Sequence, residues 1–186
     1  MKMKRWFIAV ALLFVGFSSF SQEIENTEEE LEEEHVPKIR AAIMMANSHV
    51  PTATEGDKKV AIIPAWGADI DYYFHPKWSV ALQMDLKLQS FEVEDGESTL
   101  ERSYPFSVAP VIHYHALRHW SFYVGPGYEF EKNENLTFFK LGTEYGFEIS
   151  ENFEIALNLS YENKKEIYNS WNFGIAFNKK IWEKRD

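Results

Sequence analysis

The chain contains no cysteine. Its fold therefore holds without disulfide bonds, and no cysteine is available for attachment of a lipid. Positive charge is also scarce, because 19 Lys and Arg stand against 29 Asp and Glu and give a net charge of −10. This balance disfavours nucleic acid as a partner, since phosphates are bound by basic surfaces.

Apolar runs long enough for a membrane-spanning helix are lacking as well. The apolar run at the N-terminus, residues 6–17, is shorter than the roughly 20 residues that a helix needs to cross a bilayer. It follows three basic residues and precedes small ones, which is the pattern of a secretory signal. We predict a cleaved signal peptide at residues 1–21, with the mature chain starting at Gln22. The flanking residues are Lys2, Lys4 and Arg5 before the run, and Ser19 and Ser21 after it.

The segment after the signal peptide is strongly acidic. Residues 23–34, EIENTEEELEEE, hold eight Glu and no Lys or Arg. Like charges repel one another, and the segment has almost no apolar surface to bury in return. We predict an acidic, disordered tether over residues 22–36, and the family resemblance given below implies that it is periplasmic. A loose hold on divalent cations is the alternative, and a solvated spacer is favoured over it.

Helical periodicity is absent from residues 38–182, where alternation of period two recurs eight times. Long polar connections (PTATEGDK, EDGESTLE, KNEN and ENKKE) alternate with short ones (HPK, ALR and SEN), as in an up-and-down meander. We predict an all-β chain, an eight-stranded antiparallel up-and-down barrel over residues 37–182 followed by a tail at 183–186. The predicted strands are 38–48, 59–74, 78–92, two within 106–131, 136–149, 152–162 and 167–181.

Each predicted strand has one bulky face and one face of small or polar residues. An eight-stranded barrel is too narrow to hold bulky groups from all its strands, so the bulky face must point outward. So large an apolar coat far exceeds what water tolerates and predicts contact with lipid. The outward set includes Trp66, Trp78, Trp120 and Trp171. The inward set includes glycines, alanines and the charged residues Arg40, Lys87, Lys140, Asp69, Asp71, Asp85, Glu129, Glu144 and Glu148.

Two consequences follow from this assignment of faces. The inward charges of both signs are expected to pair, filling the bore and leaving no open pore. The outward aromatic residues near the short turns are expected to form a girdle at the membrane interface. Those residues are Tyr72, Phe74, Trp78, Tyr114, Trp120, Phe147, Phe153 and Trp182.

Residues 122–157, FYVGPGYEFEKNENLTFFKLGTEYGFEISENFEIAL, follow a strand, loop, strand, turn, strand cadence. In this cadence the chain resembles the small eight-stranded outer-membrane β-barrels of the OmpA/OmpX type. The resemblance covers residues 38–182 and implies periplasmic termini and short turns, outer loops that face the exterior, and recognition by the outer-membrane insertion machinery. Asn172, Gly174 and Phe177 match part of that family's C-terminal assembly signal, whereas Lys179 and the trailing EKRD depart from it.

Candidate chemistry is sparse. His113, His115 and His119 share odd parity around the ALR turn, where neutral imidazoles would suit zinc or copper, with Glu148 or Glu154 nearby. Plain polar residues at a wet rim are the favoured alternative. An embedded hydrolase is the enzyme alternative, with Ser48 and His49 as its nearest candidate pair, but adjacent strand residues face opposite sides, which argues against a nucleophile and base pair. We therefore predict no catalytic residue and no cofactor.

The sequence as a whole predicts a monomeric integral protein of the outer membrane, in contact with outer-membrane lipid. Its expected role is envelope-structural or surface-interacting, without enzymatic activity. A barrel that handles small molecules or metal ions is the alternative. A soluble lipid-binding barrel is the third hypothesis, and it requires the bulky face to point inward.

Overall fold

The fold is known from a computed structural model, which describes residues 37–52, 59–95, 98–165 and 167–183. The predicted signal peptide (1–21) and tether (22–36) lie outside the described residues, as does all but the first residue of the predicted tail. The described part of the chain has no helix long and apolar enough to cross a membrane. The strands are β1 (Pro37–Thr52), β2 (Lys59–His75), β3 (Trp78–Lys87), β4 (Phe91–Asp95), β5 (Ser98–Arg102), β6 (Phe106–Leu117), β7 (Trp120–Phe130), β8 (Leu136–Ser150), β9 (Phe153–Asn163) and β10 (Asn169–Glu183).

Eight of these strands form a closed barrel in the order β1-β10-β9-β8-β7-β6-β3-β2. All neighbours are antiparallel, and β1 closes the ring by pairing with β2 on one side and β10 on the other. Barrel strands that are consecutive along the chain are also hydrogen-bonded neighbours in the ring, as the alternation of long and short connections predicted. The all-β, eight-stranded up-and-down architecture is confirmed.

Strands β4 and β5 form a separate two-stranded hairpin that the prediction missed. The predicted third strand, 78–92, ends instead at Lys87, and the chain leaves the barrel wall before β4 begins. Phe91 and Val93 also alternate with polar residues, but on odd positions, out of phase with the even outward residues of β3, and they lie in a local pairing with β5. The predicted eighth strand also starts later, at Asn169, because Tyr168 folds into the interior of the outer mouth.

The side chains alternate between lipid and lumen as the narrow bore requires. Trp66 is 52% exposed and Trp171 49% exposed, and Trp78 also points outward. The core on the opposite face contains small side chains, among them Ala65, Ala156 and Ala176. An isolated barrel with this many outward hydrophobic side chains needs an apolar surrounding.

Outward aromatic rings gather at both ends of the barrel. Near the short turns, the rings of Trp78 and Tyr114 lie 4.9 Å apart between centroids. At the opposite end, Tyr161 and Trp171 are 4.8 Å apart. The girdle predicted at the turns is thus matched by a second one near the outer loops, the arrangement of a barrel that crosses a bilayer. The side chain of Trp182, also predicted for the girdle, lies outside the described side chains.

Gly125 marks the tightest approach between two strands of the wall. A Cβ atom built there would lie 2.1 Å from the carbonyl oxygen of Pro110 on β6. At Gly174 the nearest atom is the sulfur of Met44, at 2.9 Å, which belongs to a flexible side chain. A backbone carbonyl group cannot move aside as a methionine side chain can. Gly125 should therefore tolerate an added methyl group less well than Gly174.

We predict that Gly125→Ala lowers the free energy of unfolding by about 1–3 kcal/mol, because the added methyl group displaces the β6 backbone. The matched change Gly174→Ala is expected to stay within about 1 kcal/mol of the wild-type protein. Urea unfolding of the barrel refolded into lipid vesicles, followed by tryptophan fluorescence, measures both. Equal losses in the two variants would contradict the close approach at Gly125.

Candidate functional site in the lumen

The lumen near the short turns is organised around Arg40 of β1. Its guanidinium group bonds the carboxylate of Asp71 at 3.2 Å and 3.4 Å. It also donates to Glu144 at 3.0 Å and to Glu154 at 3.3 Å, on the far side of the bore. One cation therefore links β1, β2, β8 and β9 across the interior.

Two lysines continue this network toward the outer loops. The ammonium group of Lys140 lies 2.7 Å from Asp85, and that of Lys87 lies 3.4 Å from Glu129. These lysines are buried, so each depends on its carboxylate to offset the loss of water. The predicted pairing of lumen charges is confirmed at these positions and at Arg40.

The prediction missed a further set of buried partners at the outer mouth. Lys164 is bonded to Glu162 and lies over the rings of Phe138 and Tyr168, 4.9 Å and 4.6 Å from the centroids. Burial lowers the pKa of Lys164 from its ordinary value, and Glu162 counters this only in part. Both residues have the even parity of the lumen face of β9, a signal that extending the alternation beyond residue 162 would have found.

Glu148, predicted to face the lumen, is corrected by the structure. Its side chain is exposed and pairs with Arg118 at 2.9 Å. The pairing of β8 with β9 shifts register between Glu148 and Ser150, at the end of the barrel. Glu148 is still in regular register with Glu154, but it lies at the rim, where its side chain pairs with Arg118 instead of entering the bore.

The hairpin of β4 and β5, here called the lid hairpin, covers the outer mouth of the lumen. Phe91 and Val93 of β4 are buried in an apolar cluster whose other members come from several barrel strands and from Tyr168. Those strands lie on different sides of the opening, so the hairpin must reach across it. The other buried members of the cluster are Val50, Ile63, Leu136 and Tyr168.

The base of the lid hairpin is tied to the β7–β8 loop. Arg102, fully buried, lies 2.6 Å from Glu129 and 3.5 Å from Glu131, and it also donates to the carbonyl oxygen of Glu134. The backbone N–H of Ser103 donates to Glu131 at 3.1 Å. These contacts, here called the latch, fix the hairpin over the mouth with buried, charge-assisted hydrogen bonds.

The three predicted metal ligands are divided between two places. His113 and His115 both face the lumen, with ring centroids 5.9 Å apart, and His113 also stacks on Tyr123. His119 lies in the turn and contacts Tyr145 on the next hairpin, 6.2 Å between centroids. In the part of the chain that the structure describes, no group of three or more acidic or histidine side chains is placed to hold a metal ion. Metal binding by these histidines stays a prediction.

The structure separates Ser48 from His49 as strand geometry requires. Ser48 is buried in the lumen and bonded to Asn172, whereas His49 packs edge-on against Phe173 outside. A second serine and histidine pair, which the sequence analysis missed, lies in the lumen, with Ser79 Oγ 3.0 Å from His115 Nε2. Ser79 has no exposed surface, and His115 is partly buried.

Comparison with solved structures bears on the fold just described. Neisserial surface protein A (NspA) matches with a TM-score of 0.57 at 8% identity, over 77% of this chain and 97% of that chain. This chain has the fold of the small outer-membrane β-barrels. Ail of Yersinia pestis (TM-score 0.49, 15% identity, 77% of this chain and 99% of that one) and OprG of Pseudomonas aeruginosa (0.49, 12%, 80% and 98%) also match. No family model and no curated protein matches the sequence.

The apolar outer surface of the barrel requires a lipid surrounding. A closed ring of strands leaves no unpaired edge, and an apolar wall between two aromatic girdles is the architecture of proteins that span the outer membrane. The barrel therefore spans the outer membrane, as the sequence predicted. Because the short turns of such barrels face the periplasm, the lid hairpin and the latch lie on the outer side.

Asp69 is the exception in the ion-pair network of the outer-membrane barrel. Its Oδ1 atom is buried and has no hydrogen-bond partner among the described residues. Gln83, its cross-strand neighbour on β3, has an Oε1 atom that lacks a partner as well. Each of these two cross-strand neighbours therefore has one buried oxygen without a hydrogen bond, in contrast to the paired Asp85 nearby.

We predict that Asp69→Asn leaves the free energy of unfolding unchanged or raises it, since the new amide can donate to Gln83. Asp85→Asn is the matched control and should lower it by about 3–5 kcal/mol, because Lys140 loses its nearest buried counter-ion and keeps only Glu162, at 3.9 Å. Urea unfolding in lipid vesicles compares the two. A loss for Asp69→Asn as large as that for Asp85→Asn would show that Asp69 has a partner of its own.

The latch should weaken in acid because of Glu131. Burial acts to raise the pKa of Glu131, but hydrogen bonds from the backbone N–H groups of Asn133, Ser103 and Glu134, together with Arg102, outweigh it and hold the pKa below its ordinary value. A depressed carboxyl pKa contributes stability above the unfolded value, and that stability is lost as the pH falls through the folded value. We predict faster amide hydrogen exchange in the lid hairpin below about pH 4.5, after correction for the intrinsic exchange rate.

The control for this effect is Glu131→Gln, which cannot titrate. Its lid hairpin should exchange faster than that of the wild-type protein at neutral pH and show no further loss of protection in acid. Amides of β9, far from the latch, serve as an internal reference in both proteins. Unchanged protection of the lid hairpin in acid would contradict the role assigned to Glu131.

Proposed function

We propose that the protein is a monomeric, non-conducting barrel of the outer membrane with an envelope-structural or surface-interacting role. The observation that carries the proposal is the closure of the bore, both by buried ion pairs along its length and by the lid hairpin at its outer mouth. A barrel closed in this way acts through its outer and lipid-facing surfaces. Its partners are then outer-membrane lipid, the insertion machinery during assembly, and whatever the outer loops contact.

The buried side chains support a closed bore more strongly than strand number alone. Lys87, Arg102, Lys140 and Lys164 are among the largest fully buried side chains of the described residues. Each is held by a carboxylate, so moving one aside would leave an unpaired buried charge. The interior is therefore expected to stay closed, unlike that of wider barrels, whose side chains leave an aqueous channel.

The lid hairpin supports a role for the outer surface. The latch and the apolar cluster fix one of its faces, while Glu92 and Glu101 lie directly opposite each other on the other face and are exposed. A rigid, acidic hairpin is a suitable element for contacts outside the cell, because little conformational entropy is lost when it binds. No catalytic activity is included in the proposal, since Ser79 of the Ser79 and His115 pair is fully buried.

A second candidate function, binding of a metal ion or small solute in the lumen, is favoured by one observation. Both ring nitrogens of His113 are buried without a hydrogen-bond partner among the described residues. The third hypothesis, a soluble lipid-binding barrel, disagrees with the exposed Trp66 and Trp171, because such a barrel would bury them.

Recordings across planar bilayers test the proposal. The purified barrel should insert and produce no steady current, and a variant in which residues 89–103 are replaced by a short Gly-Ser linker should also stay closed, because the ion pairs below the lid hairpin remain. Steady, ohmic current steps in the wild-type protein would overturn the proposal. Zinc or copper binding in calorimetry that is abolished by His113→Ala would instead favour the second candidate.

A further inference from the structure

Two cavities on the outside of the barrel meet at Tyr145. The smaller one, about 410 Å³, lies at the end with the short turns and is here called the head cavity. The larger one, about 790 Å³, lies along the lipid-facing wall and is here called the wall groove. The head cavity is lined by Arg118, His119, Tyr145, Gly146, Phe147 and Glu148.

The wall groove follows one row of paired residues across the sheet. Strand registers connect Trp120 to Tyr145, then through β9 and β10 to Met45 and finally to Trp66. Strands in such barrels tilt by about 35–45°, so a row perpendicular to them climbs diagonally through the membrane. The groove therefore starts beside the head cavity and rises toward the outer loops between two tryptophans.

The chemistry of the head cavity is charged and of both signs. Arg118 and Glu148 are paired at 2.9 Å, and both are more than one-third exposed. His119 lines the same cavity, and its Nδ1 atom is buried without a hydrogen-bond partner among the described residues. A guanidinium group can bind more than one oxygen partner, and the Arg118 side chain is 39% exposed, so an oxyanion can approach it beside Glu148.

The groups of a phospholipid match the lining of these two cavities in the same order, with a charged headgroup followed by an apolar chain. Its phosphate suits Arg118 and His119 at the membrane interface, and an acyl chain suits the apolar wall groove that continues from there. A headgroup that ends in a primary ammonium can also donate hydrogen bonds to Glu148, whereas a quaternary ammonium has no N–H to donate. The carboxylate would repel a headgroup that is only anionic.

We infer that the barrel binds a phospholipid with an ethanolamine headgroup at this place. Its phosphate contacts Arg118 and His119, its ammonium contacts Glu148, and one acyl chain lies in the wall groove. The site lies at the periplasmic end of the barrel, since the short turns face that side. This inference is independent of the closed lumen, so it can fail while the proposed function stands.

Native mass spectrometry of the detergent-solubilised barrel tests the inference. The wild-type protein is mixed with phosphatidylethanolamine, phosphatidylglycerol or phosphatidylcholine of identical acyl chains, and the fraction of barrel that retains one lipid is measured. We expect phosphatidylethanolamine to be retained roughly tenfold better than either of the others, the ratio expected for one charge-assisted hydrogen bond. Equal retention of the three lipids would overturn the inference.

Three variants assign the contacts separately. Arg118→Gln should lower retention of all three lipids, whereas Glu148→Gln should lower phosphatidylethanolamine to the level of phosphatidylcholine and leave the latter unchanged. Leu157→Trp narrows the wall groove and should also lower retention of all three. Arg118 and Glu148 are exposed, and loss of an exposed ion pair changes stability by less than about 1 kcal/mol, so these variants should fold.

Two variants with the same charge changes at the other end of the barrel are the controls. Lys132→Gln in the β7–β8 loop and Glu92→Gln on the lid hairpin should retain every lipid as the wild-type protein does. Heat-modifiable mobility in gels verifies that each variant is folded. Unchanged selectivity in folded Glu148→Gln, or unchanged retention in folded Arg118→Gln, would overturn the assigned contacts.

Discussion

The small radius of an eight-stranded ring is the constraint on which the rest of this structure depends. The lumen has room for one layer of inward side chains from each strand, and glycine or alanine is needed where two strands or two side chains approach most closely. Bulky residues such as Trp66 and Trp171 are therefore on the outside, and their number requires a lipid surrounding. The sequence pattern, the membrane environment and the closed bore have this one geometric cause.

The constraint also explains why so many charges are buried. A narrow lumen filled only with apolar side chains would make both faces of every strand hydrophobic, and the chain could then bury either face. Arg40, Lys87 and Lys140 with their carboxylates give the lumen a polar character that lipid cannot replace, and this fixes the direction of every strand face. Buried pairs of this kind contribute less to stability than to the choice of one arrangement.

Alternation along the strands was enough to predict the barrel wall. In a narrow bore only the face of small and polar residues can point inward, so the bulky face must point outward. Alternation did not predict the lid hairpin, because the predicted third strand was extended past Leu88 although the bulky residues change there from even positions to the odd positions of Phe91 and Val93. The pair Asp95-Gly96 between alternating segments is a further hairpin signal. Parity also does not tell where the wall ends, which is why Glu148 at the rim and His119 in a turn lie outside the lumen. The partners of Arg40 on β8 and β9 depend on strand register across the ring and have no local signature.

The position of Arg40 has a consequence for how the barrel assembles. Its ligands Asp71, Glu144 and Glu154 belong to strands from both halves of the chain, and β1 meets β10 only when the ends of the sheet join. Before that joining, the arginine lacks most of its counter-charges in a medium that cannot solvate it. A sheet whose first and last strands are not yet paired is therefore destabilised at that open edge. Closure is thus cooperative, and β1 and β10 pair in a single step.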